Sequence, residues 1–269
     1  MVSDKKLIVN ADDYGRTPGV STGIRESYLE GIVTTTTALM NMPSVTNDLV
    51  IAKTECPNLS CGVHLNLTGG TPLRPPATIP SLVTFEGRFY NIKQLINMFS
   101  ALDPVQLRDE WRAQIEAFLN TGLKLDHLDS HHHFSYLHEK PFEIMLTLAQ
   151  EYDVPIRHAP DPSIPGLTGN ICINDIPHLL KKYPVRQPDR LYASFTGKYA
   201  TIDKLLQLLI DLPLGSSEVM VHPGFVDDEL RSGSSYNVDR ERELAILTDK
   251  RVRELIGVYK IVLITFAQL

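Results

Sequence analysis

Along this chain apolar residues gather in short unbroken runs instead of alternating with polar ones. The runs cover residues 7–10, 33–40, 61–67, 125–130, 154–157, 170–174, 191–195, 218–222 and 261–266. Runs of this kind predict strands covered on both faces, as in a parallel sheet. Between them the apolar spacing lengthens to that of amphipathic helices, at 18–30, 44–53, 104–120, 141–151, 202–212 and 239–255. Thr17 before Pro18 and Asp103 before Pro104 read as helix starts, and Gly122 as a helix stop. Strand and helix thus alternate about seven times, which predicts an α/β fold with right-handed crossovers.

Polar residues sit where the apolar runs end: Asp12 after LIVNA, His64 in CGVHLNL, Asp129 and His131 after LDHL, His222 after EVMV. In a (β/α) barrel that rim carries the chemistry. Sites spread from residue 12 to residue 222 converge more readily in a closed or nearly closed barrel than around one crevice of an open sheet. The expectation is a distorted, TIM-like barrel of about seven parallel strands. Residues 1–269 would form a single domain, with no linker or repeat. The Pro/Gly-rich stretch 68–80 and the hairpin-like FEGRFY at 85–90 read as a loop insertion, about 68–90, over the active face. Residues 163–169 and 228–237 are further loop candidates.

Composition narrows the class. Lys plus Arg is 26 against 32 for Asp plus Glu, a formal charge of −6, so binding nucleic acid by phosphate neutralisation is excluded as the main role. Cys56, Cys61 and Cys172 are too few and too irregularly spaced for a disulfide framework or a C-x-x-C site. With no signal-like core and no membrane-length apolar stretch, the expectation is a cytoplasmic enzyme without a membrane partner. A homodimer is the default assembly.

Four motifs carry candidate chemistry. Asn10-Ala11-Asp12-Asp13-Tyr14-Gly15 ends a buried strand on two acids, so one carboxylate can bind a metal while its neighbour acts as a base. Gly62-Val63-His64-Leu65-Asn66 sets a histidine inside an apolar run. His127-Leu128-Asp129-Ser130-His131-His132-His133, with His138 beyond, is the densest cluster. Alternation along an extended segment would put His127, Asp129, His131 and His133 on one side, as a metal site with supporting partners requires. Val221-His222-Pro223-Gly224 ends a run on a histidine suited to general acid work. Together they suggest one divalent ion held by an Asp and two His, with another Asp and His free to move protons. Metal-assisted hydrolysis is the implied reaction class. Motifs for nucleophilic serine or nucleotide chemistry do not occur in the sequence.

The segments LIVNADDYG, GVHLNLT, HLDSHHH and VHPG, in this order and spacing, resemble the YdjC-like carbohydrate deacetylases, a family that includes chitooligosaccharide (diacetylchitobiose) deacetylases. GIVTTTTALMNMPS, QPDRLYASFTG and RSGSSYNVDRERELAILTD extend the likeness from about Lys6 to the C-terminus. The resemblance implies a distorted barrel that removes N-acetyl groups from N-acetylglucosamine-containing oligosaccharides. It implies a divalent ion, Mg²⁺ by family usage and Zn²⁺ by analogy with other sugar deacetylases. An Asp-His-His set suits Zn²⁺ or another transition metal better than hard Mg²⁺. Carried over by motif, Asp13, His64 and His131 are the metal ligands, Asp12 the base and His222 the acid. His127 and Asp129 would orient the ligands, and Asn66, His133, Arg231 and Tyr236 are candidate sugar or oxyanion contacts. Two other classes stay open: a metal-dependent phosphoesterase, for which His127 and His133 are spare ligands, and a non-catalytic sugar-binding protein.

Overall fold

The computed structural model describes residues 4–158 and 176–269. The expected strand 170–174 and loop 163–169 lie outside those residues. The strands are β1 (Lys5–Tyr14), β2 (Thr35–Ala38), β3 (Ser60–Leu65), β4 (Leu125–Ser130), β5 (Arg190–Tyr192), β6 (Gly215–Val221) and β7 (Val262–Leu263). The helices are α1 (Pro18–Leu29), α2 (Val45–Glu55), α3 (Ile92–Asn97), α4 (Pro104–Leu119), α5 (Glu139–Glu151), α6 (Ile176–Lys182), α7 (Ile202–Ile210), α8 (Asp228–Gly233), α9 (Val238–Leu247) and α10 (Lys250–Val258).

The seven strands form one parallel sheet in the order β4-β3-β2-β1-β6-β5, with β7 beside the start of β1. Its curl is that of a half-barrel. The expected strand at 154–157 is reduced to one bridge, Leu128 with Ile156. That short stretch still spans the gap between the edges. It bonds β4 on one side (Leu128 N–H to Pro155 O, 3.0 Å) and the lead into β5 on the other (Ile156 N–H to Arg186 O, 2.9 Å). β1 runs through the middle, and every residue from Leu7 to Tyr14 is buried. That is why its sequence is an unbroken run.

The expected helix starts hold. Thr17 accepts from Val20 N–H, and Asp103 accepts from Val105 and Gln106 N–H. The expected helix 239–255 is instead two, α9 and α10, because Asp249 caps a new start by accepting from Arg251 N–H. The expected strand 261–266 shrinks to β7, since a 3-10 turn at Phe266–Gln268 takes its end. The 68–90 insertion is fastened rather than loose. Glu110 of α4 accepts from Leu73 and Arg74 N–H, Gln106 from Ser81 N–H, and Val83 bridges Phe89 around Gly87. Among the described residues no helix is long and apolar enough to cross a membrane.

Candidate active site

The C-terminal ends of β1, β3, β4 and β6 open into a cavity of about 940 Å³ whose lining includes Asp12, Asp13, His64, His131, His133 and His222. Two neighbouring carboxylates on a regular strand would point to opposite faces. Here the pairing of β1 with β2 slips between Ala11 and Tyr14, and Asp13 takes a left-handed backbone (φ 73°), a conformation that Asp tolerates better than most residues. Both carboxylates therefore face the cavity.

Asp13 Oδ1 lies 3.0 Å from His131 Nδ1 and 3.5 Å from His64 Nε2, and one donor atom from each of the three falls within 4.8 Å of the others. Arg240 holds the other oxygen of Asp13 at 2.5 Å. His64 Nδ1 is 2.7 Å from Asp129 Oδ1, which also accepts from the Thr37 hydroxyl at 2.7 Å. A neutral His64 thus carries its proton on Nδ1 and presents a lone pair to Asp13 Oδ1, a buried oxygen with no hydrogen-bond partner of its own. In that state two electron-rich atoms face each other and call for a cation between them, a proton on Nε2 in the ion-free chain or a metal ion in its place. The donor set fits a divalent ion. Burial lowers the His64 pKa, but the charges of Asp129, Asp12 and Asp13 outweigh it and hold the ring at about 9 in the ion-free chain.

Asp12 is placed differently. Arg157 grips both its oxygens, at 2.9 and 2.6 Å, and Asn10 donates to one of them at 2.8 Å. Burial alone would raise the Asp12 carboxyl, but the Arg157 charge and hydrogen bonds, with His64, bring it below the ordinary value. Asp12 Oδ2 stands 3.9 Å from His64 Nε2 and 3.9 Å from His222 Nε2. Burial, only partly countered by Asp12 and Asp13, pushes His222 down to about 4, so the ring is neutral at neutral pH.

The loop that carries His222 is pinned from three sides. Glu243 of α9 accepts its N–H at 2.5 Å, Arg240 O accepts the Gly224 N–H, and Gly224 packs on α1 so closely that a Cβ at Gly23 would meet its Cα at 2.5 Å. Tyr236 donates its hydroxyl to Glu243 and accepts from Gly197 N–H, tying the far wall to the same carboxylate.

The expected alternation through the triple histidine ends at Ser130. From His131 the chain turns, and His132 and His133 are both left-handed (φ 56° and 53°). His131 alone faces Asp13. His132 pairs with the Thr68 hydroxyl at 2.8 Å, and His133 is half-buried, its Nδ1 shut off from solvent and unpartnered. Desolvation of the rings first, then nearby positive charge, lowers both to about 3, although His132 still reaches solvent. His127 is in the core, its ring stacked 3.8 Å from Phe266 and 3.9 Å from Asp129, against the Cβ-less Gly62. His138 caps α5 and stacks on Phe99. Asn66 braces the 66–69 turn, bonding Asn41, Thr68 and Gly69. Arg231 is exposed on α8 and is not part of the cavity wall, whereas Tyr236 is. Arg157, Arg240, Glu218 and Glu243 went unmarked in the sequence. Arg157 ends an apolar run just as Asp12 and His222 do, and that was its signal.

A family model described as YdjC-like protein matches residues 6–257. A Brevibacillus brevis protein named carbohydrate deacetylase is 37% identical over 265 residues, covering 98% of this chain and 99% of that one. Another of that name, from Geobacillus stearothermophilus, is 38% identical over 245 residues, covering 90% and 89%. An Enterococcus faecalis V583 crystal structure, described as a candidate cellobiose-phosphate cleavage protein, superposes with a TM-score of 0.89 at 34% identity, covering 99% of both chains. The chain therefore belongs to the YdjC-like family of carbohydrate deacetylases, hydrolases of amide bonds.

Proposed function

We propose that the chain removes N-acetyl groups from N-acetylglucosamine-containing oligosaccharides such as diacetylchitobiose, with a divalent ion held by Asp13, His64 and His131. The observation that carries this is the buried Asp13 Oδ1 facing two imidazole nitrogens, with Asp12 and His222 standing beside that group. A bound ion would lower the pKa of water and polarise the amide carbonyl. The donor set favours Zn²⁺, Co²⁺ or another transition metal over Mg²⁺. A cavity of about 940 Å³ lies at the upper end of the usual range for small-molecule sites, about 300–1,000 Å³, and suits an oligosaccharide.

The chain's own residues handle the protons. Asp12, kept ionised by Arg157, is always in the form that accepts a proton from the attacking water. Its low proton affinity keeps it from retaining that proton. His222, neutral at rest and 3.9 Å away, takes it up and delivers it to the departing amine. Asp129 fixes which nitrogen of His64 carries the proton. Buried free thiols at Cys56 and Cys61 support a reducing, cytoplasmic setting.

The test is acetate release from diacetylchitobiose by metal-stripped protein, resupplied in turn with Mg²⁺, Zn²⁺, Co²⁺ and Mn²⁺. Release that depends on the ion supports the reading and ranks the ions. No release with any of them rejects this substrate.

A further inference from the structure

Arg157 is fully buried and meets three carboxylates at once. It hydrogen-bonds Asp12 through both oxygens and Glu218 Oε1 at 2.7 Å, and its charge lies 3.1 Å from Asp129 Oδ2, which no hydrogen bond satisfies. All four side chains are 0–3% exposed. Glu218 Oε2 and the nearby His127 Nε2 are buried with no hydrogen-bond partner. Asp12, His64 and Asp129 bring one donor atom each within 4.8 Å of one another, as close a set as Asp13, His64 and His131. Acidic donors for a second cation, Asp12 and Asp129, therefore stand beside the first group, around the same His64. The guanidinium of Arg157 lies against both of these acids and Glu218. Three acids around a single fixed positive charge resemble the oxygen-rich half of a two-metal site, in which a second ion would hold Asp12 and Asp129.

We propose that Arg157 stands in the place of a second metal ion and limits the site to one. The proposal rests on the reading that Asp13, His64 and His131 bind an ion. By taking both oxygens of Asp12, Arg157 decides which of the paired acids is a ligand and which stays free to move protons. The same contact separates this centre from a phosphoesterase-type site with several ions, because the donors for the second ion are present and already used. Arg157 is thus a positioning residue.

The probe is Mn²⁺, titrated calorimetrically into the metal-stripped full chain, with electron paramagnetic resonance of the loaded protein to detect spin-coupled pairs. Wild type should bind one equivalent and give an uncoupled signal. Arg157→Lys, which keeps a positive charge in place, should also bind one. Arg157→Gln should bind two and show the broadening of a coupled pair. Because that variant leaves three buried acids without a counter-charge, Arg157→Gln/Glu218→Gln serves beside it. It has one buried carboxylate fewer and retains Asp12 and Asp129, so it should also bind two. Circular dichroism selects the folded variants. Two equivalents in wild type, or a single uncoupled equivalent in a folded Gln variant, would overturn the proposal. No binding by wild type would instead overturn the ion-binding reading, and this inference with it.

Discussion

Replacing Asp129 by Asn separates two effects that the native site combines. Asp129 Oδ1 serves His64 Nδ1 and Thr37, while Oδ2 lies 3.1 Å from Arg157. An amide cannot serve all three. With its oxygen toward His64, its NH₂ opposes Arg157. With its oxygen toward Arg157, its NH₂ opposes His64 and favours the wrong tautomer. Loss of such a partner weakens intrinsic metal affinity about 10- to 100-fold. The lost charge acts in the opposite sense. With His64 held at about 9, an ion arriving at pH 7.5 must displace a proton, which costs roughly 30-fold in apparent affinity. Without Asp129 the ring falls back toward its ordinary value of about 6.5 and that competition disappears. At pH 7.5 the two effects nearly cancel, and the variant should bind within about threefold of wild type. The pH dependence does not cancel. Wild-type affinity should climb about tenfold per unit between pH 7 and 8.5, and Asp129→Asn should be nearly flat. Calorimetry in buffers of different ionisation enthalpy should show proton release at pH 7.5 fall from nearly one per ion to about 0.1. A variant that still climbs tenfold per unit and still releases a full proton would refute the reasoning.

Asp13→Ala and His64→Ala should lose the ion, while Asp12→Asn keeps it and loses turnover by about 10²–10⁴-fold; metal analysis beside acetate release checks both, and near-normal rates for Asp12→Asn would remove it as the base. Burial, against the opposing pull of Tyr236, the His222 N–H and Arg240, raises Glu243 to about 7 from its ordinary 4.5. A carboxyl that is raised on folding holds its proton more tightly in the folded state. Its stabilising share is therefore complete below pH 4.5 and is lost as pH rises through 7, by about 3 kcal/mol. Glu243→Gln should flatten that fall in denaturant titrations at successive pH values, and an unchanged slope would count against the assignment. Gly62→Ala should destabilise by about 1–3 kcal/mol or more, since the added Cβ would sit 2.6 Å from the His127 ring; an unaltered melting temperature would show that β3 and β4 can part there.

Much of the fold could be read from periodicity because burial on both faces leaves unbroken apolar runs. β1, β3, β4 and β6 all lie within or just beyond such runs. Less legible were elements decided by contacts made far along the chain. Residues 154–157 have strand composition yet form one bridge, because the adjoining chain at 186 takes only the Ile156 N–H. The break between α9 and α10 turned on one capping acid, Asp249. For the site, the ends of runs marked Asp12, Asp13, His64, Asp129, His131 and His222, and all converge on one cavity or on its immediate support. Alternation failed at His132 and His133, since no periodic rule foresees two successive left-handed residues. Arg157, Arg240 and Glu243 escaped because their meaning is relational. A buried arginine becomes informative only once the acids around it are known.

The central place of β1 has a consequence for how the chain acquires its form. One edge of β1 is completed early, when Asn10 pairs with Thr35; the other waits until Lys5 can pair with Gly215. A nascent chain released just past β4 and its following turn already carries Asp13, His64 and His131, but neither Arg157 nor β6. Until β6 emerges, Leu7 and Val9 belong to a strand with one open, apolar edge. Pairing across so long a separation is slow to form. Folding of the second half therefore determines how long that edge stays exposed to other chains. Conditions that delay synthesis or folding after β4 should favour aggregation through β1, even in a protein whose finished sheet buries that strand from Leu7 to Tyr14.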